Sequence, residues 1–168
     1  IACYDLASKS KKLPLYNYLG GKINKKIYTD YTVSLNDVDI MVKQAEQIVK
    51  KGFKIIKVKL GDSGKKDIER IKHIRKCIGD DKQIRIDANQ GWNIEEAIDT
   101  LKNIDKYNIE YCEEPINRDL SFRLNEVKES SPIKIMADES LFTSYDAEMM
   151  VHGNHCDMFN LKIGKHGG

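Results

Sequence analysis

Strand-like segments of this chain end, at a near-constant interval, in charged residues that a buried strand would not normally carry. These ends are Lys57-Val58-Lys59, Asp87, Glu113, Asp138 and Lys162, and from Lys59 the steps are 28, 26, 25 and 24 residues. One step is the length of a strand–helix unit, so a single structural position recurs along the chain and carries a charge each time. That regularity restricts the fold to architectures built by repeating such units.

The segments between these ends support the same reading. Residues 1–12 read as the tail of a helix, broken by Pro14 and followed by a turn at Gly20-Gly21. A first strand is predicted over Ile27 to Leu35, rich in Tyr, Thr and Val. Asn36 is placed to cap a helix whose apolar residues Val38, Met41, Val42, Ala45, Ile48 and Val49 repeat at helical spacing up to Gly52. Strands follow at 54–60, 83–88, 109–113, 133–137 and 157–163. The intervening helices use Ile68, Ile71, Ile74 and Ile78, then Ile94, Ala97, Ile98, Leu101 and Ile104, then residues 120–130 and 144–152. Asn93 with Glu96 is predicted to form a reciprocal cap on the third of these helices. The order is β(αβ)₅ with short connections, and right-handed crossovers make the strands parallel.

An open doubly wound sheet and a closed barrel both satisfy this pattern. No glycine-rich phosphate loop opens a helix after the first strand, which weighs against a nucleotide-binding sheet. A complete (β/α)₈ barrel needs roughly 250 residues, so 168 residues supply six of the eight strands. The chain starts at Ile1 and stops at Gly167-Gly168, and both ends read as cut from a longer protein.

Charge narrows the function. With 28 basic and 26 acidic residues the net charge is +2, which gives no electrostatic case for nucleic acid or an anionic membrane. The four cysteines form no C-x-x-C pair and no zinc spacing, and they read as free thiols of a cytoplasmic protein. No apolar run approaches the roughly 18 residues of a membrane span, and no secretory leader is seen.

Residues two apart on a strand share a face, so Lys57 goes with Lys59, Arg85 with Asp87 and Asn89, and Tyr111 with Glu113. Taken singly, a Lys-x-Lys is ordinarily a solvated edge, a strand-end Asp a cap, and Glu113-Glu114 a surface pair. Their common register at the C-terminal ends of successive strands is what points to chemistry. In an eight-stranded ring the second and sixth strands face each other, so Lys59 and Lys162 would approach a central substrate from opposite sides. Asp87, Glu113 and Asp138 would converge on one flank. Three such oxygen ligands suit Mg²⁺, which would relieve their repulsion and stabilise negative charge growing on a substrate oxygen. Lys57 and the metal beside Lys59 would favour the neutral amine that a base requires.

The strings KVKLG (57–61), RIDANQGW (85–92), CEEP (112–115), MADES (136–140) and NLKIGKHGG (160–168) resemble the enolase superfamily, in its muconate-lactonizing subgroup. With YTDYTVSL (28–35), the chain is most similar to the dipeptide epimerases. The resemblance implies a TIM-type (β/α)₈ barrel truncated to about six βα units, without the N-terminal α+β capping domain. Residues 1–21 would be the linker from that domain and residues 22–168 the partial barrel. Asp87, Glu113 and Asp138 would be the ligands of one Mg²⁺, with Glu114 the replaceable partner of Glu113. Lys59 and Lys162 would be the acid/base pair and Lys57 their electrostatic neighbour. Thr32, Asn89 and Asn160 would line the substrate site.

The implied activity is 1,1-proton transfer next to a carboxylate, through an enediolate, as is general for metal-assisted enolisation in that superfamily. The implied substrate is a dipeptide such as Ala-Glu from cell-wall turnover, and the full-length protein is expected to be a homo-oligomer. The alternatives are o-succinylbenzoate synthesis or muconate-type cycloisomerisation on the same site, a Schiff-base lyase using Lys59 or Lys162, and a non-catalytic scaffold. The 168-residue piece alone is expected to be inactive.

Overall fold

The computed structural model describes residues 1–22 and 27–166. The chain divides into two compact units, Ile1–Thr29 with Leu161–Gly168, and Asp30–Asn160. The first contains helices α1 (Ala2–Ser10) and α2 (Leu15–Tyr18) and a 3-10 turn at Ile163–His166. The second holds the sheet: β1 (Tyr31–Val33), α3 (Val38–Lys50), β2 (Ile55–Lys59), α4 (Gly64–Ile78), β3 (Gln83–Asp87), α5 (Ile94–Ile104), β4 (Ile109–Glu113), α6 (Leu124–Ser130), β5 (Lys134–Ala137), α7 (Ser144–His152) and β6 (Met158–Phe159).

All five strand pairings are parallel, and the spatial order β1-β2-β3-β4-β5-β6 is the chain order. A doubly wound sheet reverses direction at a switch point, where its ligand site lies. Here there is no reversal, so the winding is that of a barrel wall.

Alternation along each strand separates two faces. Ile56 and Val58, Ile84 and Ile86, Cys112 and Ile135 are fully buried. They share one core with Met41, Ala45 and Ile48 of α3, Ile71, Ile74 and Ile78 of α4, and Ala97, Leu101 and Ile104 of α5. The three- and four-residue spacing of those helical residues gives each helix one apolar stripe to lay on the sheet. Each such isoleucine removed from water contributes about 1.5–3 kcal/mol. The opposite face carries Lys57, Lys59, Arg85, Asp87, Tyr111 and Glu113.

Two loops at the C-terminal edge touch through their backbones. A Cβ on Gly61 would lie 2.0 Å from the Ala88 carbonyl oxygen, and one on Gly91 would lie 2.1 Å from that of Gly61. Gly61 also has φ +100, which side chains rarely adopt. Buried Asp67 ties these loops together. It accepts hydrogen bonds from the Gly61 N–H (2.9 Å), Trp92 Nε1 (2.9 Å) and Arg70 Nη1 (2.7 Å).

Several expected boundaries change. The first strand is only Tyr31–Val33 and the sixth only Met158–Phe159, because each has a neighbour on one side only. The segment expected as one helix over 120–130 is a 3-10 stretch, Arg118–Arg123, followed by α6, with a non-helical Leu120 between turns. Asp37, not Asn36, is the N-cap of α3, and Asn36 Oδ1 instead accepts from the Asp37 N–H. Asn93 does cap α5, accepting from the Glu96 N–H. The Glu96 carboxylate, however, accepts from the Gly64 N–H at 2.8 Å, fastening the start of α4 to α5. A reciprocal capping box occurs instead at α7, between Thr143 and Asp146. All four cysteines are free thiols. Among the described residues no helix is long and apolar enough to cross a membrane. Residues 23–26 of the expected barrel segment and the closing Gly167 and Gly168 lie outside the described residues.

Candidate active site

Strand register assembles the site. β2 and β3 align Lys57 with Arg85 and Lys59 with Asp87, β3 and β4 align Asp87 with Glu113, and β4 and β5 align Glu113 with Met136. Lys59, Asp87 and Glu113 therefore form one row across three strands at their C-terminal ends. Asp138 stands one pleat beyond Met136, on the same face.

The row is bound together by ion pairs. Lys57 Nζ donates to Glu113 Oε2 at 2.6 Å and lies 2.9 Å from Asp87 Oδ2. Lys59 Nζ donates to the same Asp87 oxygen at 2.6 Å and to Asn89 Oδ1 at 2.8 Å. Asn160 Nδ2 donates to Glu113 Oε1 at 2.9 Å. Asp87, Glu113 and Asp138 are each only 1% exposed. Burial works against the Lys57 ammonium, but its bonds to Glu113 and Asp87 outweigh that cost and hold the group above the usual lysine range. These two bonds favour the charged form of Lys57. Burial pushes Glu113 up, the Lys57 hydrogen bond opposes it, and the Asp87 charge pushes it further; the net direction is upward.

Below this row, Arg85 donates to Glu110 Oε2 (2.5 Å) and Asp30 Oδ2 (2.9 Å) and lies over the Tyr111 ring. A register shift in the β3–β4 pairing, between Ile84 and Ile86, adds a residue to β4. It lets both Glu110 and Tyr111 reach Arg85.

Sequence reasoning gave Glu114 no role beyond that of replaceable partner of Glu113. It is fully buried, with φ +38. Its Oε2 accepts from the N–H groups of Asp138 (2.7 Å) and Ser140 (3.2 Å), and its Oε1 accepts from the Ser140 hydroxyl. It is a brace between the ends of β4 and β5, and burial raises its pKa despite those donors. The available signal was the turn itself: a strand that must stop at Pro115 has to direct the preceding side chain somewhere. Asn89 (φ +44) and Gln90 (φ +68) are also left-handed, so unusual backbone conformations gather at this rim.

The other expected residues divide. Asn89 and Asn160 join the cluster, each bonded to one of its charged groups. Thr32 pairs in register with Lys57 on edge strand β1 and is exposed; it borders a cavity lined also by Tyr31, Ser34 and Gln44. Lys162 is exposed, in the stretch between β6 and the terminal 3-10 turn, and belongs to the other compact unit.

Among the described residues, no three His, Cys, Asp or Glu side chains are grouped closely enough to hold a metal ion. The donor chemistry nevertheless fits a divalent cation. The acidic groups are hard oxygen ligands on neighbouring strand ends. Burial, and after it the charge of Asp87, holds Glu113 above the ordinary carboxylate range despite its bond to Lys57.

Comparison with known proteins identifies the family. D-Ala-D/L-Ala epimerase of Cytophaga hutchinsonii is 51% identical over 168 residues, which is all of this chain and 46% of that protein. A solved dipeptide epimerase from the same organism, complexed with Mg and D-Ala-L-Val, superposes with a TM-score of 0.95 at 52% identity, over 98% of this chain and 45% of its own. The substrate-liganded L-Ala-D/L-Glu epimerase of Bacillus subtilis gives 0.94 at 38% identity, over 99% and 47%. The chain thus spans about half the length of these relatives. Its six-stranded parallel sheet is a partial (β/α) barrel that superposes on about half of each of these structures. The family model described as enolase C-terminal domain-like matches residues 40–168, and the chain belongs to that family, within the enolase superfamily.

Proposed function

We propose that the full-length protein is a Mg²⁺-dependent epimerase that moves the proton α to a carboxylate of a dipeptide. The observation that carries this reading is the row Lys59–Asp87–Glu113 with Lys57 bridging the two acids. It puts an amine, a fixed cation and buried carboxylates at one strand-end position. Relatives named as dipeptide epimerases, one of them solved with Mg and a dipeptide, support it.

Asp87, Glu113 and Asp138 would hold the ion. Its charge would stabilise the carboxylate of the substrate as the α-carbon loses its proton. Lys59 takes that proton from one face of the α-carbon, and Lys162 supplies one to the other face. The roles reverse for the opposite epimer. Lys57 stays protonated throughout and offsets charge on Asp87 and Glu113. Asn89 and Asn160 orient Lys59 and Glu113. Residues 1–21 would link to a capping domain and residues 22–168 would form part of the barrel, in a cytoplasmic homo-oligomer. Both β2 lysines are ion-paired to carboxylates, which favours this reading over an imine-forming lyase.

The test uses the full-length protein with Mg²⁺ in D₂O, with Ala-Glu and Ala-Ala as first substrates. Proton NMR should show loss of the α-proton signal together with formation of the second epimer, and EDTA should abolish both. Activity surviving EDTA, with trapping by borohydride, would establish the lyase instead. Absence of α-exchange across a panel of dipeptides would remove the epimerase.

A further inference from the structure

We propose that Glu139 is a positioning residue for the Lys59 amine, acting through the side-chain amide of Asn89. The inference deepens the proposed function and rests on Lys59 being an acid/base group.

Three strands meet in this contact. Lys59 follows from β2, Asn89 from β3 and Glu139 from β5, so the chain of bonds passes over the end of β4. Lys59 Nζ donates to Asn89 Oδ1 at 2.8 Å, and Asn89 Nδ2 donates to Glu139 Oε1 at 3.3 Å. The Asn89 N–H also donates to Asp87 Oδ1 at 3.0 Å, in a left-handed backbone conformation that asparagine tolerates. The residue is thus fixed at its backbone, while its side chain spans a cation and an anion.

An amide has one accepting and one donating end. With Oδ1 toward the Lys59 ammonium and Nδ2 toward the Glu139 carboxylate, both contacts are attractive. Rotated by half a turn, the NH₂ faces an ammonium and the oxygen faces a carboxylate, and both contacts repel. Glu139 therefore adds to Lys59 in fixing which way the amide of Asn89 faces. That in turn decides whether Lys59 has a second acceptor besides Asp87, whose Oδ2 it already shares with Lys57.

Glu139 is poorly explained as a stabilising residue. Its Oε2 is buried and has no hydrogen-bond partner among the described residues. A side chain retained for stability alone would satisfy both oxygens, because a buried acceptor without a donor is a cost. Its Oε1 accepts from Asn89, whose neutral side-chain oxygen in turn holds the Lys59 amine.

The test compares full-length protein with Glu139→Ala and with Glu139→Gln, whose carbonyl can still accept from Asn89. The first readout needs no catalysis: acylation of Lys59 by an N-hydroxysuccinimide ester, read by peptide mass and normalised to exposed Lys102. Glu139→Ala should raise Lys59 labelling about threefold to tenfold, the range set by one net hydrogen bond, and Glu139→Gln should return it toward the parent value. Should Glu139→Ala fail to fold, Asn89→Gly removes the amide, suits the left-handed backbone and should raise labelling by the same factor. The second readout is α-deuterium incorporation in D₂O, started separately from each epimer with Mg²⁺ present. Glu139→Ala should slow exchange from the epimer whose proton Lys59 removes more than exchange from the other. A full-length protein that epimerises no dipeptide removes the functional reading, and the labelling still decides the Glu139–Asn89–Lys59 contact. Unchanged Lys59 labelling in Glu139→Ala and Asn89→Gly, or equal slowing from both epimers, overturns the proposal.

Discussion

The centre and the margins of this sheet are built differently. β2, β3 and β4 are five residues long, paired on both sides, and their charged ends are locked to one another through Lys57, Lys59, Asp87 and Glu113. β1 and β6 are three and two residues long, each with a single neighbour. A strand with two partners has both edges satisfied, and its side-chain row is set by two registers. A strand with one partner has a free edge, and its ends are less constrained. The difference explains why expected site residues on central strands came together while Thr32, on β1, stays exposed.

The strongest way to break the centre is at Asp67. Asp67→Ala removes the acceptor of the Gly61 N–H, Trp92 Nε1 and Arg70 Nη1, leaving a nearly buried guanidinium with only the more exposed Asp62 carboxylate as its counter-charge. Losing one partner of a buried pair costs about 3–5 kcal/mol. Thermal unfolding of the full-length protein should show that loss, and a change below about 1 kcal/mol would mean that the loops after β2 and β3 do not depend on this carboxylate.

A smaller effect sharpens the boundary between β4 and β5. Glu114→Ala removes the brace that holds the Asp138 and Ser140 backbones, and Mg²⁺ affinity measured by titration calorimetry should fall about 10- to 100-fold. Glu114→Gln keeps an accepting oxygen and should lose much less. Equal affinity in all three proteins would detach Glu114 from the metal site.

The smallest effect lies at the margin before β6. Burial raises the Cys156 thiol from an ordinary value of 9.0 to about 11. The folded state then holds its proton more tightly than the unfolded state. This contribution to stability is complete below pH 9.0 and is lost as pH rises through about 11. Iodoacetamide, which reacts with the thiolate, should therefore modify Cys156 more slowly than exposed Cys3 and Cys77 at pH 9, with the gap closing as pH approaches the Cys156 value. Equal rates for all three at pH 9 would contradict the burial argument.

Much of the centre was legible in the residues alone. The alternation in IIKVK and QIRID places Lys57, Lys59, Arg85 and Asp87 on one face and the apolar residues on the other, because strand geometry has a period of two. Glu114, Asp67 and Glu139 were not legible. Each is an acidic residue, for which solvent exposure is the ordinary outcome. Their donors come from residues 24 or more positions away, apart from the local contacts of Asp67, and no local pattern encodes such a partner. The ends of β1 and β6 failed for a related reason: β-forming residues such as Ile27 and Tyr28 extend a strand only where a neighbour exists to pair with them.

By itself, the sequence determined the alternation of strands and helices, the parallel winding and the set of charged strand ends, since these follow from periodicities and spacings that act within one βα unit. The tertiary structure decided the order of the strands, the sharing of Asp87 between two lysines and the burial of Glu114 beneath Asp138. Those depend on register between strands some 25 residues apart, which is set only when the helices pack and every buried polar group must find a partner.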